Sequence, residues 1–535
     1  MMGQRSVQRD LWEVPSRVAD RIESDSIFRI LHDLRPVLLR DEDFEHLYSS
    51  TGRPSHAPSL LMGVLLLKEA TDVSDREAIE RLRFDTRWQF ALRLPIDFPG
   101  FPHTNLVHFR ARMVVDSIDE WIFQRVNQLA IELGILDPEG EQAIDSSHIF
   151  GAGAVQDTYE LLRSAMRDLL QTLESIDEEA AEGLIRRHEL EERRSGEKPD
   201  IDWADEEARS EWLAGMVKDA RALLGALDGH SLARHEQVQE AAGLLTKILN
   251  QDITAPEEEG EEGPAITHGV AKDRLISTRD PEMRHGHKSA SVRFDGHKAQ
   301  ISVDIESELI TGVAITPGNR PDSEGLDPIL DQQERLYESQ PARLIGDSQY
   351  GPIEKRKELK EEGVEIVAKL PPPHSNGDRF SKSEFEIDLE EGTITCPAGE
   401  TTSTCYSTTD SKGRERKVFR FDGATCQSCD LRQQCTTAKN GRTISVHPHE
   451  EALRATRAFN ETEAFDRIYR RRPVAERKNA HLFWQKGLRH SRYLGRRKTQ
   501  LQALLTATVV NLKTIGEALQ ATLSPQNTPT PAVAA

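Results

Sequence analysis

Ala299-Gln-Ile-Ser-Val-Asp304 and Leu309-Ile-Thr-Gly-Val-Ala-Ile-Thr316 alternate across a short connection, the period-two pattern of paired strands. Downstream, the spacing predicts a helix near 323–337, a strand Ala342-Arg-Leu-Ile-Gly-Asp347, a helix near 353–362 and a strand at 365–369. Upstream, another short strand is expected to include Ala143-Ile144-Asp145. Strand, long insertion, two strands, helix, strand, helix, strand is the order of an α/β mixed sheet flanked by helices.

The flanking segments read differently. Residues 25–135 are helical in pattern, with Pro58 opening an apolar helix and Ser74-Asp75-Arg76-Glu77 forming a capping box. Thr104 or Asn105 is the expected cap of a further helix bearing His108, Arg110 and Arg112, and short helices joined by tight turns suit a helix-turn-helix-like unit. A plain dimerising bundle fits the same pattern. Residues 157–265 carry 28 Asp/Glu against 12 Lys/Arg, with long helical runs and a flexible acidic linker at 256–264. A basic helix is expected around 463–490 and an apolar one near 499–520. The expected division is a helical N-terminal domain, a candidate DNA-binding unit, over 1–135. An α/β domain is assembled from 136–156, 280–389 and 441–520. Into it are set an acidic helical insertion and linker (157–279) and a cysteine-rich insertion (390–440), and residues 521–535 form a disordered tail.

Net charge is −21, which at first argues against a nucleic-acid partner, since binding DNA means neutralising phosphates. The charge is segregated, however: residues 467–498 hold 12 Lys/Arg and one acid, Glu476. The longest apolar run, Leu60 to Leu67, falls far short of the roughly 20 residues of a membrane span, so no membrane partner is expected. The first residues lack the apolar core of a signal peptide, which points to the cytoplasm.

Asp145 and Asp347 are each expected at the carboxyl end of an apolar strand, where open α/β sheets place functional side chains. Two hard oxygen ligands there suit Mg²⁺, which takes one or two carboxylates and keeps several waters. Glu476 sits among bases; an ordinary helix pair with Arg472 is the plain alternative, and a metal-holding carboxylate whose neighbours meet phosphates is the functional one. Candidate DNA contacts are Tyr469, Arg472, Arg477, Lys478 and Lys486 around it, and Arg489, Arg492, Arg496 and Arg497 beyond it. His285, His287 and Lys288, just before the paired strands, join them. Asp295 and Asp304 read as strand-end or turn aspartates, and Asp322 as a helix cap.

The stretches DSSHIFGAGAVQDTYELL (145–162), DPEMRHGHKSASVRFDGHKAQISVD (280–304), LITGVAITPGNRPDSEGL (309–326), LIGDSQYG (344–351) and YRRRPVAER (469–477) resemble the DDE transposases of bacterial insertion sequences with an RNase H-like catalytic domain. Residues 52–85 are similar to the N-terminal domain of that group. The resemblance implies Asp145, Asp347 and Glu476 as the catalytic acids, holding two Mg²⁺ (or Mn²⁺) ions. It implies strand cleavage and transfer on double-stranded DNA, at element ends and target, by a homodimer on paired ends in the nucleoid. Tyr469, Arg472 and Glu476 match a Tyr–Arg–Glu signature. The lysine expected seven positions after the glutamate is replaced by Phe483, with Lys486 or Lys478 as candidates for its role. A catalytically inactive DNA-binding relative and a metal-dependent nuclease of the same fold are the alternatives.

All five cysteines fall between 396 and 435. Cys396, Cys426, Cys429 and Cys435, with a C-x₂-C core, are expected to hold one structural Zn²⁺, leaving Cys405 over.

Overall fold

The computed structural model describes residue 2 and residues 18–523, apart from positions 53, 117, 196–198, 255–262, 289–290, 372–376 and 410–412. Most of the linker expected at 256–264 and most of the tail expected at 521–535 lie outside the described residues.

Six helices come first: α1 (Ile27–Leu38), α2 (Pro58–Thr71), α3 (Asp75–Phe84), α4 (Thr86–Leu92), α5 (Thr104–Val115) and α6 (Trp121–Glu132). Pro58 opens α2 at its first turn, and the Ser74 hydroxyl accepts from the Glu77 amide to cap α3. The cap of α5 differs from expectation, since the residue ahead of it is His103 and no side chain caps it.

The sheet begins at β1 (Glu141–Phe150). The insertion follows, with helices α7 (Thr158–Ile176), α8 (Glu178–Arg187), α9 (Glu206–Leu227) and α10 (Glu236–Asp252). These close on a separate core that includes Leu169, Leu223 and Leu245. Then come β2 (Arg284–His287), β3 (Arg293–Asp304), β4 (Ile310–Pro317), α11 (Leu326–Tyr337), β5 (Arg343–Ile345), α12 (Ile353–Glu361) and β6 (Glu365–Val367). In the sheet β3 pairs antiparallel with β1, β2 and β4, while β1, β5 and β6 run parallel. At Gly296 (φ +150°) β3 comes so close to β1 that a Cβ would lie 2.1 Å from the Ile149 carbonyl oxygen. The result is a curled mixed sheet among helices, consistent with a DDE nuclease fold.

The cysteine segment belongs to a larger unit than 390–440. Its core draws on Phe385, Ile387, Ile394, Phe419, Phe421, Ile444 and Val446 around two small three-stranded sheets.

After it come α13 (Glu463–Tyr469), α14 (Pro473–Ala480) and α15 (Arg496–Leu523). The helix expected around 463–490 is therefore broken. Pro473, at the first position of α14, lacks the amide and the space to continue α13, and a π-turn over His481–Gln485 ends the run. α15 presents apolar side chains on two faces. Ala503, Leu504, Ala507 and Val510 enter the sheet core, whereas Leu501, Leu505, Val509 and Leu512 enter the core of the N-terminal helices. Its amides also cover the open edge of β4: Ile310 N–H donates to Asn511 Oδ1 (2.9 Å) and Ile315 N–H to Gln500 Oε1 (2.8 Å). The helical N-terminal segment thus shares its core with the last described helix. A buried pair, Lys68 to Glu69 (2.9 Å), with Arg492 reaching Glu69 (3.3 Å), adds a charged link. Among the described residues no helix is long and apolar enough to cross a membrane.

Leu504→Ala and Leu505→Ala should each cost about 2–5 kcal/mol in denaturant unfolding. Both should lower a single transition seen by far-ultraviolet dichroism. A separate early transition in Leu505→Ala would show that the N-terminal helices hold a core of their own.

Candidate active site

β5 pairs with β1 over three rungs, Glu141 with Arg343, Gln142 with Leu344 and Ala143 with Ile345. Both chains then continue two residues, one to Asp145 and the other to Asp347, which brings these acids to equivalent places. Asp347 leaves its strand as expected, and its carboxylate accepts from the Gln349 amide (2.8 Å). Asp145 does not end its strand. β1 runs on to Phe150 because β3 stays paired to it, and the edge that β5 abandons opens the site. α14 crosses here: Asn479 donates to Asp145 Oδ2 (2.9 Å), and Glu476 stands one turn earlier.

The three acids line one open cleft of about 440 Å³. Glu476 is ion-paired with Arg472, and the guanidinium lies 5.6 Å from the Tyr469 ring, which is stacked on Phe465. Tyr469 thus acts as a seat for Arg472 and does not line the cleft. Burial pushes the Asp145 carboxyl up to about 6, against the Asn479 bond, with the Asp347 charge adding to the rise. Burial likewise raises Asp347, opposed by the Gln349 amide and reinforced by the charge of Asp322. His148, in the same wall, falls to about 4 through burial and the charges of Arg489 and Lys288, so it is neutral at pH 7.

Asp322 is the residue that sequence reasoning misplaced. Its side chain makes no cap bond; it lines the cleft, buried, and accepts from Lys298 Nζ (2.7 Å). Lys298, Asn479 and His148 were missed altogether. The Pro-Gly-Asn-Arg-Pro run before Asp322 was the available signal, since it forces a turn at the mouth of the sheet.

The basic residues divide. His287, Lys288, Arg472 and Arg489 line the cleft. The others expected at DNA are engaged within the protein. Arg492 pairs with Asp72 and Glu69, Arg496 with Glu282 (2.8 Å) and Arg497 with Asp119 (2.8 Å). Arg477 and Lys478 meet Glu308, and Lys486 donates to the Ala70 carbonyl (3.0 Å). His285 pairs with Asp295 (2.6 Å) outside the cleft. These charges anchor the segment after Glu476 to the sheet and to the N-terminal helices. Neither Lys478 nor Lys486 reaches the cleft, and Phe483 is buried in the sheet core.

A second cavity, of about 30 Å³, is lined by Cys396, Cys426, Cys429 and Cys435. Burial pushes the Cys435 thiol up, and the other three thiols add to the rise. Cys405 stands apart on an exposed strand. Among the described residues no three His, Cys, Asp or Glu side chains are already drawn together around a metal-sized point. In the cleft the reason is visible, because Glu476 is turned to Arg472 and Asp145 to Asn479.

Residues 395–515 match the family described as "Transposase DDE domain", and residues 16–112 match "Transposase domain (DUF772)". Both matches are to transposase families, and together they cover the N-terminal helices and the segment from the cysteines to the last described helix. The first match takes in Glu476 and the cysteines, while Asp145 and Asp347 fall outside both matches. The chain is also 29% identical over 111 residues to "Uncharacterized protein ORF8 in nfe locus" of Rhizobium meliloti. That similarity covers 20% of this chain and 51% of the relative, so the chain spans about half the length of the curated relative it matches.

The raised Asp145 makes a prediction about stability. An unfolded aspartate ionises near 3.8, whereas the folded one does so near 6. The folded state therefore holds the proton more tightly, and stability is lost as pH rises from about 4 through 6. Asp145→Asn, measured with chelator present, should be more stable than the unaltered protein at pH 7.5 by up to about 2–3 kcal/mol. The advantage should vanish below about pH 4. Equal melting temperatures at pH 7.5 would show that burial of this carboxylate is not costly.

Proposed function

We propose that this chain is an active transposase of a bacterial insertion sequence, cutting and joining double-stranded DNA with Asp145, Asp347 and Glu476. The observation that carries the reading is the convergence of three acids, far apart in sequence, in one cleft also lined by Lys288, Lys298, Arg472 and Arg489. The donor set fits hard divalent ions, since carboxylates are the ligands Mg²⁺ or Mn²⁺ prefer. Two such ions, when bound, would activate water or a DNA 3′-hydroxyl and stabilise the leaving oxygen of an in-line displacement. The chain's own residues do the rest. Asn479 orients Asp145. Arg472 holds Glu476 until a stronger cation competes for it. Lys288 and Arg489 offer the phosphate backbone positive charge, with His287 beside them in the lining. The N-terminal helices are the candidate reader of terminal inverted repeats, and a homodimer on paired ends, acting on the cytoplasmic nucleoid, is the expected assembly.

Asp145→Ala, Asp347→Ala and Glu476→Ala should each reduce cleavage of an element-end duplex to background in Mg²⁺ or Mn²⁺. DNA binding measured by anisotropy in Ca²⁺ should change by less than about threefold, because backbone contacts to phosphate supply most of the affinity. A variant that still cuts removes its residue from the site.

The four clustered thiols are proposed as a structural Zn²⁺ site. Tetrahedral thiolate ligation would organise a unit whose own apolar core is small. Elemental analysis of the purified chain should find one zinc per chain, lowered by Cys426→Ser and by Cys429→Ser but not by Cys405→Ser. A folded chain free of zinc overturns this assignment.

A further inference from the structure

The cleft has cations on one wall, and two of them are lysines, Lys288 and Lys298. Lys298 differs from its neighbours in how firmly it is built in. It lies within β3, between His148 of β1 and Thr316 of β4, so its backbone is fixed on both sides. Its ammonium donates to Asp322 Oδ1 (2.7 Å) and to the Arg320 carbonyl (2.8 Å), with the side chain 13% exposed. An ammonium has three N–H donors, and two are accounted for by these partners. Asp322 itself is 6% exposed and near enough to Asp347 for its charge to be felt there. Without Lys298 it would be a fourth acid in a cleft that must receive a polyanion. With Lys298, the pair is neutral until a phosphate arrives.

We propose that Lys298, braced by Asp322, contacts a backbone phosphate of the DNA strand held at the three acids. Lys298 touches substrate; Asp322 is its positioning residue, acting only through the lysine. A phosphate oxygen is a better acceptor for the free donor than water in a half-closed cleft, because a charge-assisted bond strengthens as solvent is excluded. A strand residue locked on both edges loses little freedom on making that bond. The inference rests on the transposase reading above and adds a named phosphate contact to it.

An ordinary buried ion pair would explain the same distances, and it predicts different variants. Breaking such a pair leaves one charge buried and alone, whereas replacing both partners with uncharged groups is often neutral. The test therefore compares Lys298→Met, Asp322→Asn and the double variant in melting temperature and in cleavage of a duplex copied from the DNA flanking the reading frame. Lys298→Met should lose stability and cleave about 10- to 100-fold more slowly. The double variant should regain melting temperature but not cleavage, and Lys298→Arg should recover part of the rate. A duplex carrying a neutral methylphosphonate at the contacted phosphate should slow the unaltered protein and leave Lys298→Met no slower still. Cleavage by the double variant within about threefold of the unaltered protein, or normal cleavage by Lys298→Met, overturns the proposal alone. If the unaltered chain cuts no better than Asp145→Ala, the transposase reading fails and the proposal falls with it.

Discussion

The parallel pairing of Glu141–Ala143 with Arg343–Ile345 stops after its third rung, and each segment runs on two residues to an aspartate. Everything else about the site follows from that register. Because β1 continues while β5 turns away, the sheet has an edge that is open on one side and rigid on the other. α14 can then lay Glu476 and Asn479 over it, and the turn at 322–325 can bring Asp322 in from beyond β4. A one-residue slip would send the Asp145 side chain to the opposite face of the sheet, away from α14. Packing of Ala143 and Ile149 into the core on the Asp145 side, and of Ile144 on the other, fixes the register.

The electrostatics complete the frame. Burying a carboxylate is unfavourable, which is why Asp145 is driven up to about 6, with the nearby charge of Asp347 a smaller contribution. The structure offsets this locally with Asn479, Arg472 and Lys298. Such strain is tolerated where function requires it and the surrounding fold holds the groups in place. The same cations that restrain the acids leave the cleft ready for a polyanion.

Much of the sheet was legible in the sequence, because alternation over 299–304 and 309–316 and the apolar run before Asp347 are local signals. The end of β1 was not, since whether a strand continues past Asp145 depends on β3, some 150 residues away. The basic stretch misled in a comparable way. Twelve Lys/Arg read as a DNA surface, yet Arg492, Arg496 and Arg497 find their acids at Asp72, Glu282 and Asp119, hundreds of residues upstream. Sequence shows charges but not their partners. Asp322 failed for a related reason: an aspartate after proline and before a helical run looks like a cap, and only the fold reveals Lys298 opposite it.

α15, the last described helix, carries one apolar face into the sheet core and another into the core of the N-terminal helices. During synthesis both cores lack these side chains until that helix appears. Glu476 likewise joins the cleft only after all the strands of the sheet have been made. A product terminated between residues 348 and 495 would carry Asp145, Asp347 and the N-terminal helices but would lack the wedge that packs against both cores. The architecture thus ties the joining of the helical unit to the sheet to the arrival of the last described helix.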